Sequence, residues 1–193
     1  MTRRHGTEPP SDACAPQRHP DAPAPGTEIL SHYALCFACG ADHPTGLRMR
    51  VRADTGVSTV AELEVGAYHQ GAPGLAHGGL LAAAFDEAMG SVNWLLRIPA
   101  VTGRLETEFR RPVPVGTTLH LRARAVAVAG RRVYMEADGR LGSPEGDVAV
   151  TAAAVFVQVP LEHFTTHGRP EDVSAAARAA AESGVPRRYE VNP

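Results

Sequence analysis

Aromatic residues are scarce in this 193-residue chain, at 5% of positions with a single Trp. The core must therefore be built from Ala, Val and Leu, in line with a hydrophobic content of 44%. Cysteine is scarce too, and three is an odd count, which argues against a disulfide framework. An excess of one charge is missing. Nineteen basic residues against 21 acidic ones leave a formal net charge of −2, so neither nucleic acid nor a membrane surface is expected as a partner. Long apolar runs are also missing, since none approaches the roughly 18–20 residues a bilayer span requires. Arg3 and Arg4 are followed by no apolar segment, so the sequence predicts no signal peptide and a cytoplasmic protein.

The length predicts one domain plus tails. Residues 1–28 hold much of the proline and few large apolar side chains, so a disordered N-terminal arm is expected. The domain is expected over 29–160. A peripheral C-terminal tail follows over 161–193, with an Ala-rich patch from Glu171 to Glu182 suited to a short helix and a stop at Gly184-Val185-Pro186.

What the domain does have is one unusual helix. Leu81, Phe85, Ala88, Val92 and Leu95 recur every three or four residues, predicting a helix from the Gly78-Gly79 pair to about Arg97. Only Asp86, Glu87 and Arg97 are charged in it, so it belongs inside the protein. Asp86 projects on a flank of small residues (Gly79, Ala82, Ala83, Gly90) where another backbone can approach, and is expected to be desolvated. One reading makes Asp86 a general base or nucleophile. The other gives it a structural bond to backbone or to an Arg such as Arg104. The unpaired amides at the helix start favour negative charge, although glycines there also simply relieve crowding.

Strand patterns surround the helix. Leu47–Arg52 and Val57–Val65 flank a hairpin turn at Ala53-Asp54-Thr55-Gly56, and a Gly/Pro-rich loop from Gly66 to Ala76 leads to the helix. After it, Val101, Gly103, Leu105 and Phe109 alternate with Arg104, Glu106, Glu108 and Arg110, a parity that sets Thr102 on the polar face with Arg104. Two more alternating runs place Arg122 and Arg124 opposite Glu136 and Asp138. Val148–Val159 is apolar on both faces, as a central strand is. The expected fold is α+β: a curved antiparallel sheet of five to six strands wrapped around one long central helix. A single layer leaves an edge unpaired, so a homodimer or a dimer of dimers is expected.

Several segments in order carry a resemblance. They are Cys36-Phe37-Ala38-Cys39-Gly40 with Pro44-Thr45-Gly46-Leu47, His77-Gly78-Gly79 with Asp86 nine residues after the His, Thr102, and Phe109-Arg110-Arg111-Pro112-Val113-Pro114. Over Cys36–Val159 the chain resembles the hotdog-fold acyl-CoA thioesterases of the PaaI-like group. The resemblance implies hydrolysis of acyl-CoA or acyl-carrier-protein thioesters without metal or other cofactor. Asp86 would be base or nucleophile, the Gly78 amide would polarise the carbonyl with His77 shaping the turn, and Thr102 would hold the attacking water. Gly79 and Gln70 are substrate-binding candidates, Gln70 standing one position off the usual Asn or Gln. Arg110, Arg111, Arg131 and Arg132 are candidates for the coenzyme A phosphates. Of Leu80, Phe85, Met89 and Trp94, whichever lines the acyl tunnel sets its depth.

His32, Cys36, Cys39 and His43 lie within twelve residues, and two Cys with two His form a zinc ligand set. The spacing is cramped and no second Cys-x-x-Cys exists, so a metal-free structural turn packed on the sheet is expected. Two other functions remain open: a hotdog dehydratase or hydratase using His77, and a non-catalytic acyl-CoA-binding protein.

Overall fold

The computed structural model describes residues 6–31 and 33–182. Arg3, Arg4, His32 and the Gly184-Val185-Pro186 stop lie outside the described residues. A two-residue strand, β1 (Glu28–Ile29), pairs with β2 (Arg50–Ala53), which forms a hairpin with β3 (Ser58–Glu64). The expected loop from Gly66 to Ala76 is more regular than composition suggests. It holds a 3-10 turn (Ala67–His69) and a small hairpin of β4 (Gln70–Ala72) with β5 (Leu75–Ala76). Helices α1 (Gly78–Gly90) and α2 (Asn93–Leu96) follow, then β6 (Ala100–Phe109), β7 (Thr118–Ala129), β8 (Arg132–Leu141) and β9 (Val148–Gln158). Two helices close the described chain, α3 (Glu162–His167) and α4 (Pro170–Glu182).

The main sheet is antiparallel in the order β1-β2-β3-β7-β8-β9-β6. It has seven strands where five to six are expected, the extra one being β1. Alternating apolar side chains on β3, β7, β8 and β9 point at α1, whose Leu81, Ala84, Phe85, Ala88 and Met89 are buried in the shared core. Burying a side chain the size of Phe85 contributes about 1.5–3 kcal/mol. Thr59 on β3 fixes the helix lengthwise by donating to the Ala88 carbonyl at 2.9 Å. The β7–β8 register sets Arg122 opposite Asp138 and Arg124 opposite Glu136, as the charge pattern requires. Arg124 binds Glu136 at 2.9 Å, while Arg122 reaches Asp54 on the other side at 2.9 Å.

The helix does not run unbroken to Arg97. It stops at Gly90, and the Ser91 N–H turns back to the Glu87 and Met89 carbonyls. A second short helix ends where Arg97 takes a left-handed conformation at φ 56. Gly90 and Ser91 both hold helix weakly, and Asn93 donates its side-chain amide to the Gly90 carbonyl at 3.1 Å. Val92 and Leu95 stay fully buried on the predicted face.

Residues 6–28 follow a defined path across the domain, in contrast to the disordered arm composition predicts. Cys14 bridges Val128 in both directions, His19 N–H bonds the Leu95 carbonyl, and Gly26 N–H bonds that of Ala53. The Arg18 guanidinium donates to the carbonyls of Asp54, Gly56 and Pro23. Ala13 packs beside Ala127, Tyr134 and Val155 on the outer sheet face. The segment buries little apolar surface, as expected, but backbone hydrogen bonds and one arginine hold it instead. None of the helices among the described residues is long and apolar enough to cross a membrane.

Candidate active site

Asp86 lies eight residues into α1, half-buried rather than desolvated as expected of it. The Thr102 hydroxyl donates to Asp86 Oδ1 at 2.6 Å. Strand parity puts Thr102 on the outer face beside Arg104, and a β-bulge reverses that. Thr102 pairs with Phe156 and Arg104 with Val155, so Gly103 is the unpaired extra residue. Phe156 faces α1 whereas Val155 belongs to the outer cluster. Thr102 therefore turns inward to Asp86, and Arg104 turns outward to bind Glu106 at 2.6 Å. A Cβ at position 103 would lie 2.9 Å from Val157 Cγ2, so the bulge needs glycine.

The pair opens onto a cavity of about 460 Å³. Its apolar wall includes Trp94, Val101, Phe156, Leu161 and Phe164. Of the four tunnel candidates only Trp94 lines this wall. Phe85 and Met89 are fully buried in the core, and Leu80 packs against it. Leu161 and Phe164, from the C-terminal tail, reach the cavity at an i, i+3 spacing. Asn93 also lines it, buried and with no partner for its Oδ1 among the described residues.

At the other end of α1, the side chain of His77 caps the helix by accepting the Gly79 N–H at 3.0 Å. That bond engages the amide of Gly79, the substrate-binding candidate, within the chain. The Gly78 N–H has no acceptor among the described residues. Gly78 lines a separate cleft of about 350 Å³ with Leu75, Phe109, Arg110 and Arg111. Gln70 is engaged locally, donating to the Ala67 carbonyl at 2.7 Å and accepting the Gly74 N–H at 2.6 Å. Both bonds brace the loop. Arg110 and Arg111 flank the Gly78 end. Arg110 binds Glu108 at 2.8 Å and holds that carboxyl below its usual range. Arg111 lies 3.7 Å from Asp147. Arg131 and Arg132, at the β7–β8 hairpin, line neither cavity.

Beside Asp86 on α1, Glu87 meets a group that sequence spacing does not join to it. Cys36 Sγ lies 3.7 Å from Glu87 Oε2, and Cys39 Sγ lies 3.2 Å from Ser31 Oγ. The hydrogen bond with Cys36, burial and the Glu87 charge push the Cys39 thiol far above its ordinary range. His43 is not in this group. Its ring stands edge-on to Phe37 and accepts the Thr45 N–H at 3.3 Å.

The thioesterase superfamily model matches residues 73–146, which hold Gly78, Asp86 and Thr102. The match spans less than half of the chain, and the arrangement of strands and helix is the hotdog fold. Acyl-coenzyme A thioesterase THEM4 of Bos taurus is 30% identical over 108 residues, covering 56% of this chain and 44% of the relative. The chain thus spans less than half the length of that curated relative. A structure of the phenylacetic acid degradation protein PaaI from Thermus thermophilus, a single-residue variant, is 26% identical. It superimposes with a TM-score of 0.53 over 58% of this chain and 95% of that one. A hypothetical thioesterase from Streptococcus pneumoniae, solved with coenzyme A, shares the fold at 20% identity and a TM-score of 0.50, covering 53% of this chain and 78% of its own. The shared fold accounts for one helix within an antiparallel sheet.

Proposed function

We propose that the protein hydrolyses acyl-CoA thioesters, with Asp86 as base or nucleophile and the Gly78 amide as oxyanion donor. The observation that carries this reading is the 2.6 Å bond from Thr102 to Asp86 at the wall of an apolar cavity. The Thr102 hydroxyl spends its proton on the carboxylate and keeps its lone pairs for a water. Asp86 takes a proton from that water as it attacks the thioester carbon, or attacks directly and is then released by water. In either route the carbonyl oxygen becomes an oxyanion that a preorganised N–H stabilises. The C–S bond then breaks, and the proton goes to the leaving thiolate, yielding free acid and thiol.

The two halves of the site come from different chains of a homodimer. Gly78 and Asp86 are eight residues apart, about 12 Å along a helix. A carbonyl held at Gly78 needs its attacking group within about 3–3.5 Å. An antiparallel partner helix across a twofold would bring its Asp86 to this Gly78, and the reverse. Three features support such a partner: the outer edge of β6 has no strand beside it among the described residues, Phe109 and Leu75 are exposed around Gly78, and the Asp86 flank of α1 is half-buried. In this arrangement Arg110 and Arg111 are placed for the coenzyme phosphates, with a carrier-protein thioester as the alternative substrate. The odd cysteine count supports the cytoplasmic location expected from sequence.

The test is thiol release from a panel of short, long and aryl acyl-CoAs. We expect free CoA from at least one class. Asp86→Asn should lower turnover at least about a hundredfold, with melting temperature and ligand binding unchanged. A changed acyl chain without thiol release would indicate a hydratase, and retention without turnover a binding protein. A near-parental or unfolded Asp86→Asn protein would remove Asp86 from the mechanism.

A further inference from the structure

Cys36, Cys39 and Glu87 each offer one ligand atom, and these atoms lie within 4.8 Å of one another. Around a zinc-sized ion, sulfur ligands at about 2.3 Å and oxygen at about 2.0–2.2 Å stand roughly 3.6–3.8 Å apart in a tetrahedron. The Cys36 Sγ to Glu87 Oε2 separation is 3.7 Å, so this pair already stands at ligand spacing.

The backbone that presents the thiols is built for the task. Cys36-Phe37-Ala38-Cys39-Gly40 forms a tight turn in which the Gly40 N–H donates to the Cys36 carbonyl at 2.8 Å. A Cβ at position 40 would lie 2.5 Å from the Cys36 nitrogen, so the turn excludes any side chain there. Behind it, the Leu47 N–H bonds the Phe37 carbonyl at 2.8 Å and the Met49 N–H bonds that of Ala38 at 2.9 Å. Glu87 arrives from α1, 51 residues after Cys36. The metal-free expectation weighs only the cysteines with His32 and His43, and Glu87 supplies the donor that reading lacks.

We infer that Cys36, Cys39 and Glu87 bind one zinc-class divalent cation, with solvent in the fourth position. Two thiolates and a carboxylate offset the ion's charge, and binding releases one proton from each thiol. The ion clips the turn to α1 at the residue beside Asp86, bracing the cavity wall that Glu87 shares. Its role is structural, and it stands apart from the thioesterase reading.

The experiment uses the full chain, reduced and purified without chelator. Elemental analysis should give one zinc per chain. After chelator stripping, all three thiols should react with a thiol reagent, and the melting temperature should fall. Added Zn²⁺ should restore the melting temperature and leave one reactive thiol, the exposed Cys14. Glu87→Gln, which preserves shape, should weaken zinc binding at least about tenfold, and Cys14→Ser should leave the metal content unchanged. The inference is overturned if Zn²⁺ added to stripped, reduced protein neither protects two thiols nor raises the melting temperature. A Cys36–Cys39 disulfide as the stable form of the purified protein would overturn it equally.

Discussion

Thr102 and Asp86 meet because each is held by something other than the other. Asp86 is fixed by a helix anchored in the core, and Thr102 by a strand whose bulge turns its side chain inward. Thr102→Val keeps the volume and removes the hydroxyl. A hydrogen bond to a charged group contributes about 1.5–3 kcal/mol when buried and less when exposed, and Thr102 is exposed, so kcat should fall by up to about tenfold. Binding and melting temperature should hold, and Thr102→Ser should recover most of the activity. Steady-state kinetics on the best panel substrate tests this, and an unchanged kcat for the valine variant would assign the hydroxyl a structural role. Sequence singled out the carboxylate, with a structural bond as the other reading, because it stands on a small-residue flank of an apolar helix. Its partner was not legible, since period-2 counting assigns a face only while the register is unbroken. Glu87 was illegible as a metal donor for a different reason. Its relation to the cysteines is tertiary, and no local spacing encodes it.

At the scale of elements, β6 and α1 each depart from regularity where the site needs it. Gly103→Ala tests the bulge directly. Its Cβ would meet Val157 Cγ2 at 2.9 Å and the Val155 carbonyl at 3.3 Å, and crowding of this kind costs about 1–3 kcal/mol. Denaturant unfolding should show that loss, and activity should drop because Thr102 is displaced. Adding Val157→Ala should restore part of both, whereas additive losses would mean that the strand regularises for another reason. The strands and the helix's buried face were readable because hydrophobic periodicity is a local signal. The break at Gly90-Ser91 was not, because the apolar pattern continues through Val92 and Leu95 while the backbone turns. Leu161 and Phe164 look unremarkable in a polar tail, and only the fold brings them to the cavity.

At the scale of the whole molecule, the proposed function makes the chain half of a dimer. Composition identified an N-terminal segment unable to form a core, but not that Arg18 and backbone bonds lay it over the domain. The unpaired edge of β6 follows from topology, and the roughly 12 Å between Gly78 and Asp86 follows from helix geometry. If Gly78 and Asp86 serve one carbonyl, as proposed, each site must borrow a carboxylate from the partner helix. Mixed dimers test this requirement most directly. Gly78→Pro removes the amide proton at the first helical position, where proline is tolerated. Gly78→Ala keeps the proton and places a Cβ 3.3 Å from the Phe109 ring tip, so it serves as the control for crowding. Gly78→Pro and Asp86→Ala should each be inactive alone and Gly78→Ala active. Co-refolded dimers of the two inactive variants should regain activity, because one of their two sites keeps both an intact amide and an intact carboxylate. Verified mixed dimers without recovered activity, or a fully active monomer, would contradict the shared site.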